Sequence, residues 1–131
     1  MPTRPLSPHL SVYRMSRYTL ATSIANRFSG VALSAGLLLL VYWLMAVAGG
    51  ARTYARALRV LSAPLTQLIY AALIVAFCYH LVAGLRHLVW DTGHALERRE
   101  SQVSARLVIA LSLILILLIV YRVWIAGMRA P

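Results

Sequence analysis

The chain has 131 residues, the size of one domain, of which 61% are hydrophobic and only 12% are charged. Soluble proteins carry about 25% charged residues, and a soluble domain of this length cannot bury so much apolar surface. The composition therefore excludes a soluble fold and indicates an all-α integral membrane protein.

The net charge of +10 comes from thirteen arginines, because the chain contains no lysine. These arginines lie between apolar runs and not on a soluble face, so we expect them to anchor the chain among the lipid headgroups. No groove-reading motif accompanies them, and nucleic acid is not an expected partner. The single cysteine, Cys78, lies inside an apolar run, which excludes an intrachain disulfide.

Residues 1–22 are predicted to form an N-terminal surface segment. Pro2, Pro5 and Pro8 bias the residues before them away from helix, so the start of this segment should be extended. The segment lies along the membrane or against another protein, or it is a disordered tail. It lacks the short apolar core of a signal peptide, so no cleavage is expected.

Three apolar runs follow, and a helix needs about 20 such residues to span a bilayer. They predict membrane-spanning helices at roughly residues 23–50, 62–91 and 105–127, within a single membrane-anchor domain of residues 1–131. Three spans make an up-down-up bundle. Between the first two runs, Arg52, Arg56 and Arg59 share one helical face and predict a short interfacial helix.

The arginines outside the apolar runs predict the orientation, because positive charge is retained on the inner side. Eight of them flank the side that holds the N-terminus: Arg4, Arg14, Arg17, Arg27, Arg86, Arg98, Arg99 and Arg106. Five flank the opposite side: Arg52, Arg56, Arg59, Arg122 and Arg129. We therefore expect the N-terminus inside.

His80 is the feature that most strongly indicates function, because an ionisable side chain at membrane depth is costly. His80, His87 and His94 recur every seven residues and fall nearly on one helical face. Successive members lie about 10.5 Å apart along the axis, so two of them cannot ligate one haem iron from opposite sides. If the chain binds haem with two histidines, the second comes from another chain. Alternatively, His80 hydrogen-bonds to a neighbouring helix.

Ser23 and Arg27 lie on the same inner side as His80 in the predicted topology. They are four residues apart and share a helical face if the first helix includes them. A hydroxyl, a guanidinium and an imidazole could then border one inner-leaflet site. The simpler readings are a helix-start residue for Ser23 and an interfacial anchor for Arg27. Asp91 could likewise only pair with Arg86 or Arg98.

Three segments resemble the cytochrome b subunit of succinate dehydrogenase, the larger membrane anchor of respiratory complex II: Arg4–Leu10 with Tyr13, Ser23–Gly30, and Tyr79–Gly93. The resemblance implies haem b and a ubiquinone site shared with a smaller membrane-anchor subunit, beneath an iron–sulfur subunit and a flavoprotein subunit. His80 matches the family's haem-iron ligand, and Ser23 and Arg27 match its quinone-contacting residues. Arg27 and His87 would also contact the haem propionates.

One departure from the family is Asn26, where histidine is usual. An amide can hydrogen-bond but carries no proton or charge, which puts a proton-relay or propionate role at that position in doubt. The chain has no flavin or dicarboxylate motif, so it holds no catalytic residue for succinate oxidation. The function implied is a subunit of succinate:ubiquinone oxidoreductase in a bacterial inner membrane or a mitochondrial inner membrane.

Two alternatives remain at this point. One is an anchor of the same complex that holds no haem. The other is a small multi-helix transporter subunit, which would be expected to have a carboxylate in the middle of the membrane. Asp91, Glu97 and Glu100 all lie outside the centres of the apolar runs.

Overall fold

The computed structural model describes residues 17–129, and in that range the chain is helical without strands. The helices are α1 (Arg17–Ala48), α2 (Ala51–Leu61), α3 (Pro64–Asp91) and α4 (Arg98–Arg129). Of these, α1, α3 and α4 are long and apolar enough to cross a membrane. The predicted all-α architecture with three spans is thus confirmed.

The helix ends differ from the predicted spans where charged residues occur. Helix α1 begins at Arg17 instead of residue 23, and α4 begins at Arg98 instead of residue 105. Apolarity marks the part of a helix that lies in hydrocarbon, whereas the backbone remains helical beyond it. Residues 17–22 of the predicted surface segment therefore belong to α1. The remainder, with the motif Arg4–Leu10, lies outside the described residues.

The connections between helices are short, and two of the three turn at a glycine. Gly50 has φ +83° and follows α1, and Gly93 has φ +80° and follows α3. Both conformations lie in the left-handed region that glycine adopts without steric cost. Pro64 occupies the first turn of α3, where its missing N–H costs no hydrogen bond.

The three long helices pack against one another through small side chains. Large apolar side chains face outward instead, and Phe28 and Leu38 are 71% and 72% exposed. This arrangement suits a lipid environment, where small residues allow close backbone approach and hydrocarbon solvates the outer face. The residues buried between the helices include Thr22, Ser29, Cys78, Ala83, Ala105, Val108 and Ser112.

The short helix α2 lies against the end of the bundle opposite to the α3–α4 connection. Ala57 and Leu61 of α2 form a small apolar cluster with Ala46 of α1, against which Tyr70 of α3 packs. Arg52, Arg56 and Arg59 are all exposed. The predicted short helix is thus present and its basic residues face away from the protein; its position at the membrane interface stays a prediction.

Candidate functional site

His80 of α3 is half-buried and is held by two groups of α1. Its Nδ1 atom lies 3.1 Å from the Ser29 hydroxyl and 3.2 Å from the backbone carbonyl of Asn26. The same Ser29 hydroxyl donates a 2.9 Å hydrogen bond to that carbonyl. The imidazole nitrogen, the hydroxyl and the carbonyl thus make three mutual contacts. At most two protons, one on Nδ1 and one on the hydroxyl, are available to form hydrogen bonds in them.

Only one arrangement of protons satisfies these contacts. The carbonyl oxygen of Asn26 can only accept, so both the hydroxyl of Ser29 and Nδ1 of His80 must direct protons toward it. The hydroxyl oxygen then accepts from Nδ1–H at the same time. A bare Nδ1 would face the carbonyl with lone pair against lone pair. The proton of neutral His80 is thus on Nδ1, and Nε2 keeps a free lone pair, the atom that metals commonly bind.

Gly30 makes room for the His80 ring. A Cβ atom added at Gly30 would lie 3.1 Å from Cε1 of His80, closer than side chains normally approach. The hydrogen of glycine therefore lets the imidazole lie directly against the α1 backbone. Ser29 and Gly30 together fix both the hydrogen bonding and the position of the ring.

A long apolar groove between α1 and α3 has His80 in its wall and a volume of about 710 Å³. That volume is within the range of small-molecule and cofactor sites, which are mostly apolar with a few polar groups. The polar side chains among its lining residues are those of Ser34, Tyr70 and His80. The other lining side chains are mainly those of Leu33, Leu37, Leu40, Leu73, Ile74, Phe77 and Ile119.

The donor chemistry of this groove fits a haem. The imidazole of His80 has an Nε2 atom without a hydrogen-bond partner among the described residues and lines an apolar space of cofactor size, and none of the groove's described lining residues is a carboxylate. Among the described residues, no group of three or more His, Cys, Asp or Glu side chains could enclose a metal ion by itself. The groove therefore suits an iron ion whose other ligands include the ring nitrogens of its own cofactor.

The other two predicted histidines do not join His80. His87 is exposed and packs edge-on against the Trp90 ring, with centroids 5.2 Å apart. Nδ1 of His94 lies 2.9 Å from the hydroxyl of Thr92 in the α3–α4 connection. Neither ring lines the groove that contains His80.

Ser23 and Arg27 both lie within α1, which was the condition for the two side chains to share one helical face. Ser23 is half-buried and Arg27 is exposed. The hydroxyl and the guanidinium make no hydrogen bond inside the described part of the chain. The side-chain oxygen of Asn26 is buried there without a hydrogen-bond partner, although its backbone carbonyl serves His80. Ser23 and Arg27 are therefore accessible to a group from outside this chain, whereas the Asn26 oxygen is not.

Arg86 has a role that sequence reasoning missed, since it was interpreted as an interfacial anchor or a partner of Asp91. Its Nε donates to the Ser104 hydroxyl at 2.9 Å, and its Nη2 donates to the Ser101 carbonyl at 2.9 Å. Its Nη1 donates to the Thr22 hydroxyl at 3.2 Å, and the guanidinium lies 4.0 Å from the centre of the Trp90 ring. One side chain of α3 therefore connects α1 and α4.

The Arg86 contacts also bring the start of α1, the end of α3 and the start of α4 to one end of the bundle. Tyr79 reinforces this end, because its hydroxyl donates to the Thr22 carbonyl at 2.7 Å. Ser101 and Ser104, three residues apart in the first turns of α4, were the available sequence signal. Such serines at a helix start are common, and their spacing does not indicate which cation they meet.

The sequence profile of the succinate dehydrogenase/fumarate reductase transmembrane subunit family matches residues 1–119. The chain is 42% identical over 115 residues to the succinate dehydrogenase cytochrome b556 subunit of Paracoccus denitrificans, covering 88% of each chain. It is 33% identical over 116 residues to the subunit of that name from Rickettsia typhi, covering 88% of this chain and 90% of the relative. Against the mitochondrial succinate dehydrogenase cytochrome b560 subunit of Mus musculus, identity is 36% over 114 residues, covering 85% and 66%.

These bacterial and mitochondrial relatives, together with three helices that can cross a membrane, make the chain a multi-pass inner-membrane protein. The catalytic site for succinate lies on other subunits of the enzyme. The chain belongs to the succinate dehydrogenase/fumarate reductase transmembrane subunit family, as a membrane subunit of succinate dehydrogenase.

Proposed function

We propose that this chain attaches the flavoprotein and iron–sulfur subunits to the membrane, provides one axial ligand to haem b and forms part of the ubiquinone-reduction site. The observation that carries the proposal is the hydrogen bonding of His80. Its Nδ1 is committed to Asn26 and Ser29, while its Nε2 is free beside a large apolar groove.

His80 would bind the haem iron through Nε2, and a smaller membrane-anchor subunit would supply the second ligand. A single helix cannot place two histidines on opposite sides of one iron, and neither His87 nor His94 lines the groove. When bound, haem b supplies a one-electron redox centre. The chain contributes the ligand, its orientation and an apolar lining that excludes water.

Ser23 and Arg27 would contact ubiquinone. The Ser23 hydroxyl can donate a hydrogen bond to a quinone oxygen, and the Arg27 guanidinium can stabilise the negative charge that develops there. Neither group is engaged by another described residue of the chain. Electrons would arrive from the iron–sulfur subunit, and this chain would position the quinone and shield it from water.

Arg27 and His87 are further candidates for contacts to the haem propionates. Both side chains are exposed, so both are accessible to groups that lie between this chain and its partners. The side-chain oxygen of Asn26 is a hydrogen-bond acceptor, but it is buried and has no partner among the described residues. It does not carry protons, so proton delivery to the quinone would fall to other groups.

The end of the bundle that holds Arg27 and Arg86 would face the inside, with the N-terminus on that side. The excess of arginines at this end supports that orientation. The iron–sulfur subunit would then dock at this end, close to the quinone-contacting residues.

Measurement of b-type haem in the purified four-subunit complex tests the proposal. His80→Ala should abolish the six-coordinate low-spin spectrum, whereas His94→Ala, in the exposed α3–α4 connection, should leave it unchanged. A wild-type complex without b-type absorption would favour the haem-free anchor. An undisturbed spectrum in His80→Ala would eliminate the ligand assignment.

The transporter alternative has no support in the described residues. Asp91, Glu97 and Glu100 are all exposed at the end of the bundle that holds the α3–α4 connection. A carboxylate that binds a transported cation is expected in the bundle interior at membrane depth.

A further inference from the structure

We propose that Ser29 is a positioning residue for haem b: its hydroxyl orients the His80 ring and raises the electron density on Nε2, and thereby lowers the reduction potential of the haem. The inference rests on the proposed role of His80 as the iron ligand. Ser29 touches neither iron nor quinone, and it acts only through the imidazole.

The first step of the argument is that Ser29 receives the Nδ1 proton of His80. The hydroxyl proton of Ser29 is used on the Asn26 carbonyl, at 2.9 Å, so only the oxygen lone pairs remain to face Nδ1 at 3.1 Å. A hydroxyl that donates to a carbonyl is a better acceptor than an isolated one, because hydrogen bonds in a chain polarise one another. Ser29 and the Asn26 carbonyl therefore share the Nδ1–H group between two acceptors.

The second step is that nothing else can take the place of Ser29. Its side chain is only 7% exposed, and it lies between α1 and α3 in an apolar surrounding. The groove beside Ser29 is lined mainly by apolar side chains, which would not hold a water molecule in place of the hydroxyl. The lost acceptor would thus not be replaced by solvent.

The third step concerns the metal. An acceptor at Nδ1–H withdraws the proton partly from the ring and makes the opposite nitrogen a stronger donor to iron. A stronger donor stabilises the oxidised, more positive iron relative to the reduced iron. Loss of the Ser29 acceptor should consequently shift the haem midpoint potential in the positive direction, while the Asn26 carbonyl still holds the ring.

Other serines of the helices have no such arrangement and provide the control. The buried Ser112 hydroxyl of α4 lines the same apolar groove as Ser29, away from His80, and donates only to the Val108 carbonyl of its own helix. Ser29→Thr keeps the hydroxyl, and the added methyl group has space in this groove, which has a volume of about 490 Å³. Ser29→Cys keeps the approximate size and weakens the acceptor.

Potentiometric titration of the haem absorption in the purified complex tests the inference. Ser29→Ala should retain haem and change the ferric-to-ferrous ratio at a fixed potential roughly two- to tenfold toward ferrous, the effect of one net hydrogen bond. Ser29→Cys should give a smaller shift in the same direction. Ser29→Thr and Ser112→Ala should titrate like the wild type.

Haem content separates this inference from the proposed function. If His80→Ala loses the low-spin haem but Ser29→Ala and Ser29→Cys titrate like the wild type, the role of Ser29 is overturned and the ligand role of His80 stands. If His80→Ala retains the wild-type haem spectrum, the ligand role fails and the role of Ser29 fails with it. An equal shift in Ser112→Ala would also overturn the inference, because the effect would then reflect the loss of any buried hydroxyl between the helices.

Discussion

The guanidinium of Arg86 on α3 donates a hydrogen bond to the hydroxyl of Thr22 on α1, with Nη1 and Oγ1 3.2 Å apart. The Thr22 hydroxyl in turn donates a hydrogen bond to the Tyr18 carbonyl at 2.9 Å. Among the described residues, this cation is therefore stabilised by oriented dipoles and not by a carboxylate. Such an arrangement depends on the fork geometry of arginine, which reaches several acceptors at fixed angles.

Arg86→Lys is therefore expected to destabilise the chain although it preserves the charge. An ammonium group cannot reach Thr22, Ser101 and Ser104 together, and the loss of the additional hydrogen bonds should cost about 1–3 kcal/mol. The free energy of unfolding can be measured by titration with sodium dodecyl sulfate in detergent micelles. Arg98→Lys is the matched control, because Arg98 is exposed at the start of α4. Equal stability of the two variants would contradict the role of Arg86.

The architecture of the chain was predictable because the bilayer imposes it. Long uncharged runs must be helices in hydrocarbon, and their number follows from the sequence with little ambiguity. The short helix α2 was equally predictable, because Arg52, Arg56 and Arg59 recur on one helical face. The ends of the helices were less predictable, because the backbone of α4 is helical from Arg98, well before its apolar run begins.

The contacts around His80 and Arg86 were not predictable in detail. A membrane helix that is apolar on all sides gives no signal for which face meets its neighbour. The rotation of α1 decides whether Ser29 or another small polar residue reaches His80, and that rotation depends on packing between helices. The sequence therefore identified the ligand candidate but not the groups that hold it.

Gly30→Ala is predicted to disturb the haem site without unfolding the chain. The new Cβ would lie 3.1 Å from Cε1 of His80, so the ring must shift by a few tenths of an ångström and its bonds to Ser29 and Asn26 must lengthen. We expect reduced haem occupancy or an altered low-spin electron paramagnetic resonance spectrum. Gly127→Ala is the control, because a Cβ there meets nothing within 4 Å. A wild-type spectrum in Gly30→Ala would show that the ring has more freedom than this contact allows.

The orientation of the bundle can be tested with introduced cysteines, because the native Cys78 is fully buried and should not react. Ser62→Cys places a thiol in the α2–α3 connection, and Glu97→Cys places one in the α3–α4 connection. A membrane-impermeant maleimide should label Ser62→Cys in intact bacterial spheroplasts and Glu97→Cys only after permeabilisation. The reverse pattern would place the N-terminus outside. The wild-type chain serves as the unlabelled control.

Arg27→Leu is predicted to impair quinone reduction by roughly 10²–10³-fold, the typical loss when one donor to a developing negative charge is removed. Ser23→Ala should cause a smaller loss, because a neutral hydroxyl forms a weaker hydrogen bond than a cation does. The measurement compares succinate-driven reduction of ubiquinone with reduction of an artificial dye by the soluble subunits. Dye reduction should be unchanged in both variants.

The matched control for Arg27 is Arg99→Leu, which removes an exposed arginine from the same end of the bundle. It should retain quinone reduction, because the Arg99 side chain is exposed and its charge is screened by solvent and headgroups. Parallel loss of dye and quinone activity in Arg27→Leu would indicate failed assembly of the complex. Equal losses of quinone activity in Arg27→Leu and Arg99→Leu would indicate a general effect of surface charge, and the specific contact between Arg27 and quinone would be rejected.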